Sequence, residues 1–314
     1  MTAEHTDTPD LTDIGALRAL LRRHGVERTN KGLGQHLLIS RKALDAVVEA
    51  AELTPDDNVL EVGAGTGVLT VELAKRARRV VAVEMDRVIL PILEETVELY
   101  PNVEIIPRDL LTIRPEEIFG EEPYKLVANL PYYITALILR HTLEARNRPT
   151  RLVVMVQREV AERMTAVPGE MNLLGLSAQF YGTPRIVAQV PATAFFPPPK
   201  VDSAVVRLDL FHQPPLEGAA REFFFKLARA GFAEKRKQLH NSLERNLHLA
   251  PEQVIGWLAA CAIEPERRAQ SLSLEEWLAL TRAVLADPPR PLPLVTRRER
   301  RERNARPSDP SANV

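Results

Sequence analysis

From residue 58 the chain alternates short apolar runs with amphipathic stretches. DNVLEV is followed by GVLTVELAKRA and RVVAVEM by DRVILPILEETVELY; then come NVEIIPRD, YKLVANL, TALILRHTLEAR and RLVVMVQ. A run that is apolar along its whole length suits a strand covered on both faces, and apolar residues three or four apart mark one face of a helix. The alternation predicts an α/β fold: a mostly parallel, Rossmann-like sheet with helices on both faces. RIVAQV and AVVRLDL read as two further strands. The Pro-rich stretch between them, PATAFFPPPKVDS, is a short return that permits an antiparallel edge. Ahead of the alternation, LTDIGALRALLRRHG (11–25) reads as a leading helix.

At HQPPLEGAA (212–220) the strand pattern stops. REFFFKLARAGF, EKRKQLHNSLERNL, PEQVIGWLAACA and SLEEWLALTRAVL all have helical spacing. A boundary near 213–217 therefore separates a domain of 11–212 from a small all-α domain of 213–286. Residues 1–10 are polar, and 287–314 are rich in Pro and Arg and poor in apolar side chains; both are expected to be disordered.

Composition adds limits. No run of 18 apolar residues occurs, so no membrane span is expected. The opening MTAEHTDTPDLTD lacks the basic start and apolar stretch of a secretory signal, which points to the cytoplasm. Cys261 is the single cysteine, which excludes an internal disulfide and a multi-cysteine zinc site; no metal is expected. From residue 211 onward there are 17 Lys+Arg against 13 Asp+Glu, while the first 210 residues hold 24 against 29. The excess suits a C-terminal part that approaches an anion such as nucleic acid, and equally suits two ordinary solvated surfaces.

The chemistry gathers at strand ends. EVGAGTGVLT (61–70) follows a strand and opens a helix, so backbone amides can approach a ligand there. Its spacing is not the dinucleotide fingerprint: Val68 stands where that motif needs Gly or Ala. Gly63, Gly65 and Gly67 form GxGxG, which suits a ligand whose amino acid and ribose cross the turn. Glu84, ending VVAVE, can accept hydrogen bonds from ribose hydroxyls and would repel a phosphate. Asp109, after the next strand, can reach the exocyclic amine of an adenine. Either acid alone reads equally well as a helix cap or a solvated residue. The three features at successive strand ends point together to S-adenosylmethionine as cofactor.

Asn129 closes the fourth strand and is followed at once by Leu130, Pro131 and Tyr132. An aromatic amine is a poor nucleophile because its lone pair is delocalised into the ring. Acceptors for its two N–H groups favour a tetrahedral nitrogen with the lone pair aimed at an electrophilic methyl. The Asn129 side-chain oxygen and the Leu130 carbonyl could supply them, with Pro131 fixing the carbonyl direction. Tyr132 would offer a face on which a flipped-out base stacks. The alternative is an Asn cap, a proline turn and a buried tyrosine.

The tetrapeptide NLPY is a form of the amino-methyltransferase signature, and the whole of 11–286 resembles the ribosomal RNA adenine dimethyltransferases of the small-subunit type. GLGQHLLIS, EVGAGTGVLT, NLPYYIT, MVQREVAERM, LSAQFYG, FFPPPKVDSAVVRL, EKRKQLHNSL and RRAQSLSLEEWLAL match that family in order. The resemblance implies a class I methyltransferase sheet, with cofactor contacts from His36, Leu38, Gly63, Glu84, Asp109 and Asn129. Gly65 joins them through the glycine-rich turn. Phe195 falls on the aromatic that would sandwich the target base against Tyr132. His36 replaces the usual Asn, Leu37 a Phe and Ser40 an acid; histidine could still donate to the cofactor's methionine carboxylate. Tyr133 stands where many relatives carry Asn. Lys235, Arg236, Lys237 and His240 would contact phosphate, although a solvated helix face is the plainer reading, and Arg297, Arg298, Arg300, Arg301 and Arg303 could add nonspecific attraction. The implied reaction is dimethylation of two adjacent adenosines in a hairpin loop near the 3′ end of 16S rRNA, within a small-subunit precursor, by a monomer. A large-subunit adenine methylase, a DNA adenine methylase and a nonenzymatic assembly factor are the rival readings.

Overall fold

The computed structural model describes residues 10–26, 36–131 and 134–288 and separates into two compact units, one ending at Pro215 and one beginning at Leu216. Residues 1–9 and 289–314, the bulk of the two tails with all the tail arginines named above, lie outside the described residues.

In the first unit, helix α1 (Ile14–Arg23) is followed by strand β1 (Leu37–Leu38) and α2 (Arg41–Ala51). Then come β2 (Asn58–Val62), α3 (Val68–Ala74), β3 (Arg79–Val83), α4 (Leu90–Val97), β4 (Val103–Ile106), α5 (Pro115–Phe119), β5 (Lys125–Asn129), α6 (Thr135–Leu143) and β6 (Arg151–Gln157). The unit closes with α7 (Arg158–Met164), α8 (Leu173–Tyr181), β7 (Gly182–Val190), β8 (Phe195–Phe196) and β9 (Ser203–Leu210). Seven strands form one sheet in the order β4-β3-β2-β5-β6-β9-β7. From β4 to β6 all pairs are parallel, as the doubly covered apolar runs require. Val59, Val80, Val127 and Val153 from four of these strands are fully buried in one apolar cluster with Leu44, Val47 and Leu73 of α2 and α3.

The Pro-rich return does make an antiparallel edge, with β7 and β9 as its two strands. β9 pairs antiparallel with both β6 and β7, so it lies inside the sheet and β7 takes the border. The burial patterns follow: β9 is buried through Leu208, whereas β7 alternates between covered and open positions. Pro184, which cannot donate to a ladder, is tolerated on that border strand.

Ser40 caps α2 by accepting from the Ala43 N–H at 3.3 Å, so the residue that departs from the resembled family has a local structural use. At the other end of α2, Glu52 accepts from Arg151 and Arg207, which both also bond Asp209. These donors hold the Glu52 carboxyl down at about 2. They tie α2 to β6 and β9 at the end of the sheet opposite the strand carboxyl termini.

The second unit comprises α9 (Gly218–Phe232), α10 (Leu239–Leu247), α11 (Pro251–Ala260) and α12 (Leu274–Ala286). Phe224, Leu227, Leu239, Val254, Leu258 and Trp277 form its buried interior. Gly231 lies under Trp277: a Cβ there would come 2.4 Å from the indole, which is why α9 carries a glycine. α12 begins with a capping box between Ser273 and Glu276. Among the described residues no helix is long and apolar enough to cross a membrane.

Candidate active site

A cleft opens where β2, β3, β4 and β5 end. Parallel register delivers these ends together: Val62 pairs with Val83, Val83 with Ile106, and Glu61 with Val127. The chain leaving each strand must turn there, which places four turns around one opening.

The first turn carries Gly63 and Gly65 at φ 71° and 58°, left-handed values that a side chain would strain. Both line the cleft. Gly67, at φ 85°, serves differently: a Cβ there would sit 3.0 Å from the Thr96 methyl, so its role is close packing of α3 against α4.

Glu84 is buried, and both of its oxygens are engaged. Oε2 accepts the Gly65 N–H and Oε1 the Asp86 N–H, each at 2.8 Å. Burial raises its pKa while these backbone donors oppose the rise. The carboxylate therefore shapes the glycine turn as well as facing the cleft. Asp109 likewise has two uses, because it lines the cleft and caps a 3-10 turn by accepting from the Leu111 N–H at 3.0 Å.

Glu61 was not anticipated. It sits within β2, is 1% exposed, and its Oε2 has no hydrogen-bond partner among the described residues. Desolvation pushes its pKa up to about 8, with repulsion from Glu84 adding and Thr70 opposing. The one signal in the sequence was an acid interrupting the apolar run DNVLEV. A buried acid lining this cleft is a natural partner for a cationic group.

Asn129, Leu130 and Pro131 form the far wall. The Leu130 N–H donates to the Met155 carbonyl at 3.1 Å, extending the β5–β6 ladder past its last pair. The Pro131 carbonyl accepts from the Thr135 hydroxyl at 3.0 Å and the Ile134 N–H at 3.3 Å, so it is committed to the start of α6. Among the described residues no donor engages the Leu130 carbonyl. The Asn129 Nδ2 donates to the His36 carbonyl at 3.4 Å. Because the amide is planar, Oδ1 then faces away from His36. Tyr132 and Tyr133 lie outside the described residues.

The remaining wall comes from far away in sequence. β1 pairs antiparallel with β8, Leu37 with Phe196 and Leu38 with Phe195, and the Ile39 N–H donates to the Ala194 carbonyl at 2.8 Å. Leu38 is buried and lines the cleft. His36 also lines it, but its Nδ1 lies 2.7 Å from the Pro197 carbonyl. An oxygen acceptor there requires the proton on Nδ1, which leaves a lone pair on Nε2 of the neutral ring. Phe195 differs from expectation. It is 2% exposed, within the cluster that holds Leu38 and Ala194, and presents no open face to a base. Phe196 is half-buried, with the Arg18 guanidinium 4.8 Å from its ring centre.

In the second unit Lys235, Arg236 and Lys237 are exposed, but in the turn before α10 rather than on a helix face. His240 is half-buried, and its Nδ1 lies 2.8 Å from the Pro265 carbonyl. That bond gives it a packing use.

The cleft fits S-adenosylmethionine. It offers a buried acid with one oxygen unpartnered among the described residues and suited to an ammonium, a strand-end acid suited to ribose hydroxyls, and a glycine turn with no Cβ in the way. A cationic ligand favours the charged form of Glu61, so binding must expel a proton whenever that group is protonated beforehand. Calorimetric titration should show affinity rising up to about tenfold per pH unit from pH 6 to 7.5 in the wild type, and a flat profile in Glu61→Gln. The same slope in both would remove Glu61 from the linkage. The stability sign is opposite: the folded state of the ligand-free protein holds this proton more tightly than the unfolded chain. The group's contribution to stability is therefore lost as pH rises from the ordinary Glu range through about 8.

The chain matches the family model for ribosomal RNA adenine dimethylase over residues 26–284. It is 50% identical to the ribosomal RNA small subunit methyltransferase A of Dehalococcoides mccartyi, a match that covers 83% of this chain and 90% of that one. With the protein of the same name from a Geobacillus species it shares 40% identity, over 88% and 98% of the two chains. Among solved structures, the 23S rRNA methyltransferase ErmE is 33% identical with a TM-score of 0.66, covering 79% of this chain and 98% of that one. A dimethyladenosine transferase from Plasmodium falciparum is 26% identical with a TM-score of 0.68, over 80% and 98%. With its cleft built at the strand ends and this match running from before β1 into α12, the chain belongs to the ribosomal RNA adenine dimethylase family, whose cofactor is S-adenosylmethionine.

Proposed function

We propose that the enzyme dimethylates the exocyclic amines of two adjacent adenosines in a hairpin loop near the 3′ end of 16S rRNA. It acts as a cytoplasmic monomer on a precursor of the small subunit. The observation that carries the reading is the anchored Asn129 amide: with Nδ2 on the His36 carbonyl, Oδ1 is left as an acceptor. The near full-length match to relatives named for the small subunit supports the choice of RNA.

When bound, S-adenosylmethionine supplies an electrophilic methyl on a sulfonium that leaves as a neutral thioether. Gly63, Gly65, Glu84 and Asp109 hold it, and Glu61 balances its ammonium. Asn129 Oδ1 and the Leu130 carbonyl accept the two N–H groups of the target amine, which localises the nitrogen lone pair. With its lone pair localised the amine nitrogen would be the nucleophile, and the surplus proton it carries after transfer would pass to solvent, so no strong base is needed. Alignment and exclusion of water supply most of the acceleration. Tyr132 provides the stacking face. Phe195 backs the site from within the core.

The test is nucleoside mass spectrometry of RNA from cells with and without the gene, and of purified small-subunit particles incubated with enzyme and cofactor. Two adjacent N6,N6-dimethyladenosines should appear in the 16S hairpin only with active enzyme. A single modified adenine in large-subunit RNA would overturn the substrate assignment.

Lys235, Arg236 and Lys237 are proposed to contact phosphate. Each phosphate contact contributes roughly 0.7–0.9 to the slope of log affinity against log salt. Replacing all three with glutamine should therefore flatten that slope by about 2–3 while leaving cofactor affinity unchanged. An unaltered slope in filter-binding titrations would place the RNA contacts elsewhere.

A further inference from the structure

An asparagine amide is useful to the reaction in only one of its two orientations. Turned over, Asn129 would present NH₂ to the target amine, so two donors would face each other and the acceptor would be lost. Among the described residues the contact that selects the useful orientation is the main-chain carbonyl of His36, at 3.4 Å from Nδ2. That distance is long, so the contact cannot by itself hold the carbonyl in place.

What locates the carbonyl is the rest of His36. The strand that follows it is two residues long and pairs with a partner of the same length. Downstream, the Ile39 N–H fixes the far end on the Ala194 carbonyl. At the near end the shortest link is the His36 ring itself, with Nδ1 2.7 Å from the Pro197 carbonyl. The imidazole is thus anchored to the segment carrying Phe195 and Phe196, and the same residue's carbonyl meets Asn129.

We propose that His36 is a positioning residue for methyl transfer: its ring, tied to the Pro197 carbonyl, places its own main-chain carbonyl where it orients the Asn129 amide. This rests on the reading that Asn129 Oδ1 accepts from the target amine. An asparagine at this position could make the same bond, since its Nδ2 occupies nearly the same place as the histidine Nδ1 and can donate to the same carbonyl.

The experiment compares His36→Phe, His36→Asn, Asn129→Ala and the double variant His36→Phe/Asn129→Ala. Affinity for S-adenosylhomocysteine is measured by calorimetry, and single-turnover methylation of small-subunit particles at saturating cofactor and RNA. His36→Phe should lower the rate about tenfold with affinity within about threefold, and His36→Asn should restore most of the rate. In the Asn129→Ala background the phenylalanine should cost less than about threefold more, because a residue acting through Asn129 has nothing left to act on. Multiplying effects in the double variant, or a loss of affinity with an unchanged rate, would overturn the proposal. A normal rate in Asn129→Ala alone would instead sink the underlying reading, and is seen separately. If His36→Phe does not fold by circular dichroism, His36→Ala enters the same cycle with the same expectations.

Discussion

Alanine at Asn129 should lower the single-turnover rate roughly 10²–10³-fold, the usual loss when one preorganised acceptor is removed from a reacting centre. Affinity for S-adenosylhomocysteine should change only a few-fold. The side chain lies at the end of β5, where the Leu130 N–H to Met155 bond and the Pro131 turn are made by the backbone and survive the substitution. The loss therefore falls on the chemical step rather than on the fold. Rapid-quench methylation at saturating RNA, with a melting curve beside it, checks both halves. A near wild-type rate would return Asn129 to the plain role of a strand-end cap.

Glu84→Ala should do the reverse, weakening cofactor binding by about 10²-fold or more. Hydrogen bonds to a charged group are worth roughly 1.5–3 kcal/mol each, and two ribose hydroxyls would lose theirs. A second effect adds to the first. The Gly65 N–H and Asp86 N–H each lose a carboxylate acceptor at 2.8 Å, so the glycine turn loses the group that shapes it. The ligand-free protein should remain folded, since Val62 and Val83 keep their ladder pairing on the strand side of the turn. Calorimetry with S-adenosylmethionine decides the matter; unchanged affinity would strip Glu84 of its assignment.

What could be read before the structure was whatever repeats with a period. The strands from β2 to β6 stand out because each is mainly apolar, and the loops after them were located as soon as the strands were. The position of β9 inside the sheet was not legible in that way. Its apolar run looks like any other, and the clue was in its neighbour: Thr183, Arg185 and Gln189 alternate with less polar residues, as a border strand's do. The turn at 234–238 was read as helix because charged residues have respectable helix propensity and nothing there breaks the pattern. Glu61 escaped notice because an acid inside an apolar strand carries no periodic signal, only a cost of burial. His36 and Phe195 depend on a pairing of two residues with two, too short for any pattern. The meaning of His36 came from the carbonyl it touches and that of Phe195 from its depth.

The β1–β8 pairing has a consequence for synthesis. The His36 ring and the Pro197 carbonyl are 161 positions apart along the chain. Ribosomes extend a chain at about 5–20 residues per second, so roughly 8–30 s pass between the emergence of one partner and the arrival of the other. During that interval β2 to β6, whose neighbours are much closer in sequence, can assemble while one wall of the cleft has no counterpart. The nascent enzyme is catalytically incomplete until nearly two thirds of it has been made. An activity that modifies ribosomal RNA thus switches on only after its own messenger has been largely translated.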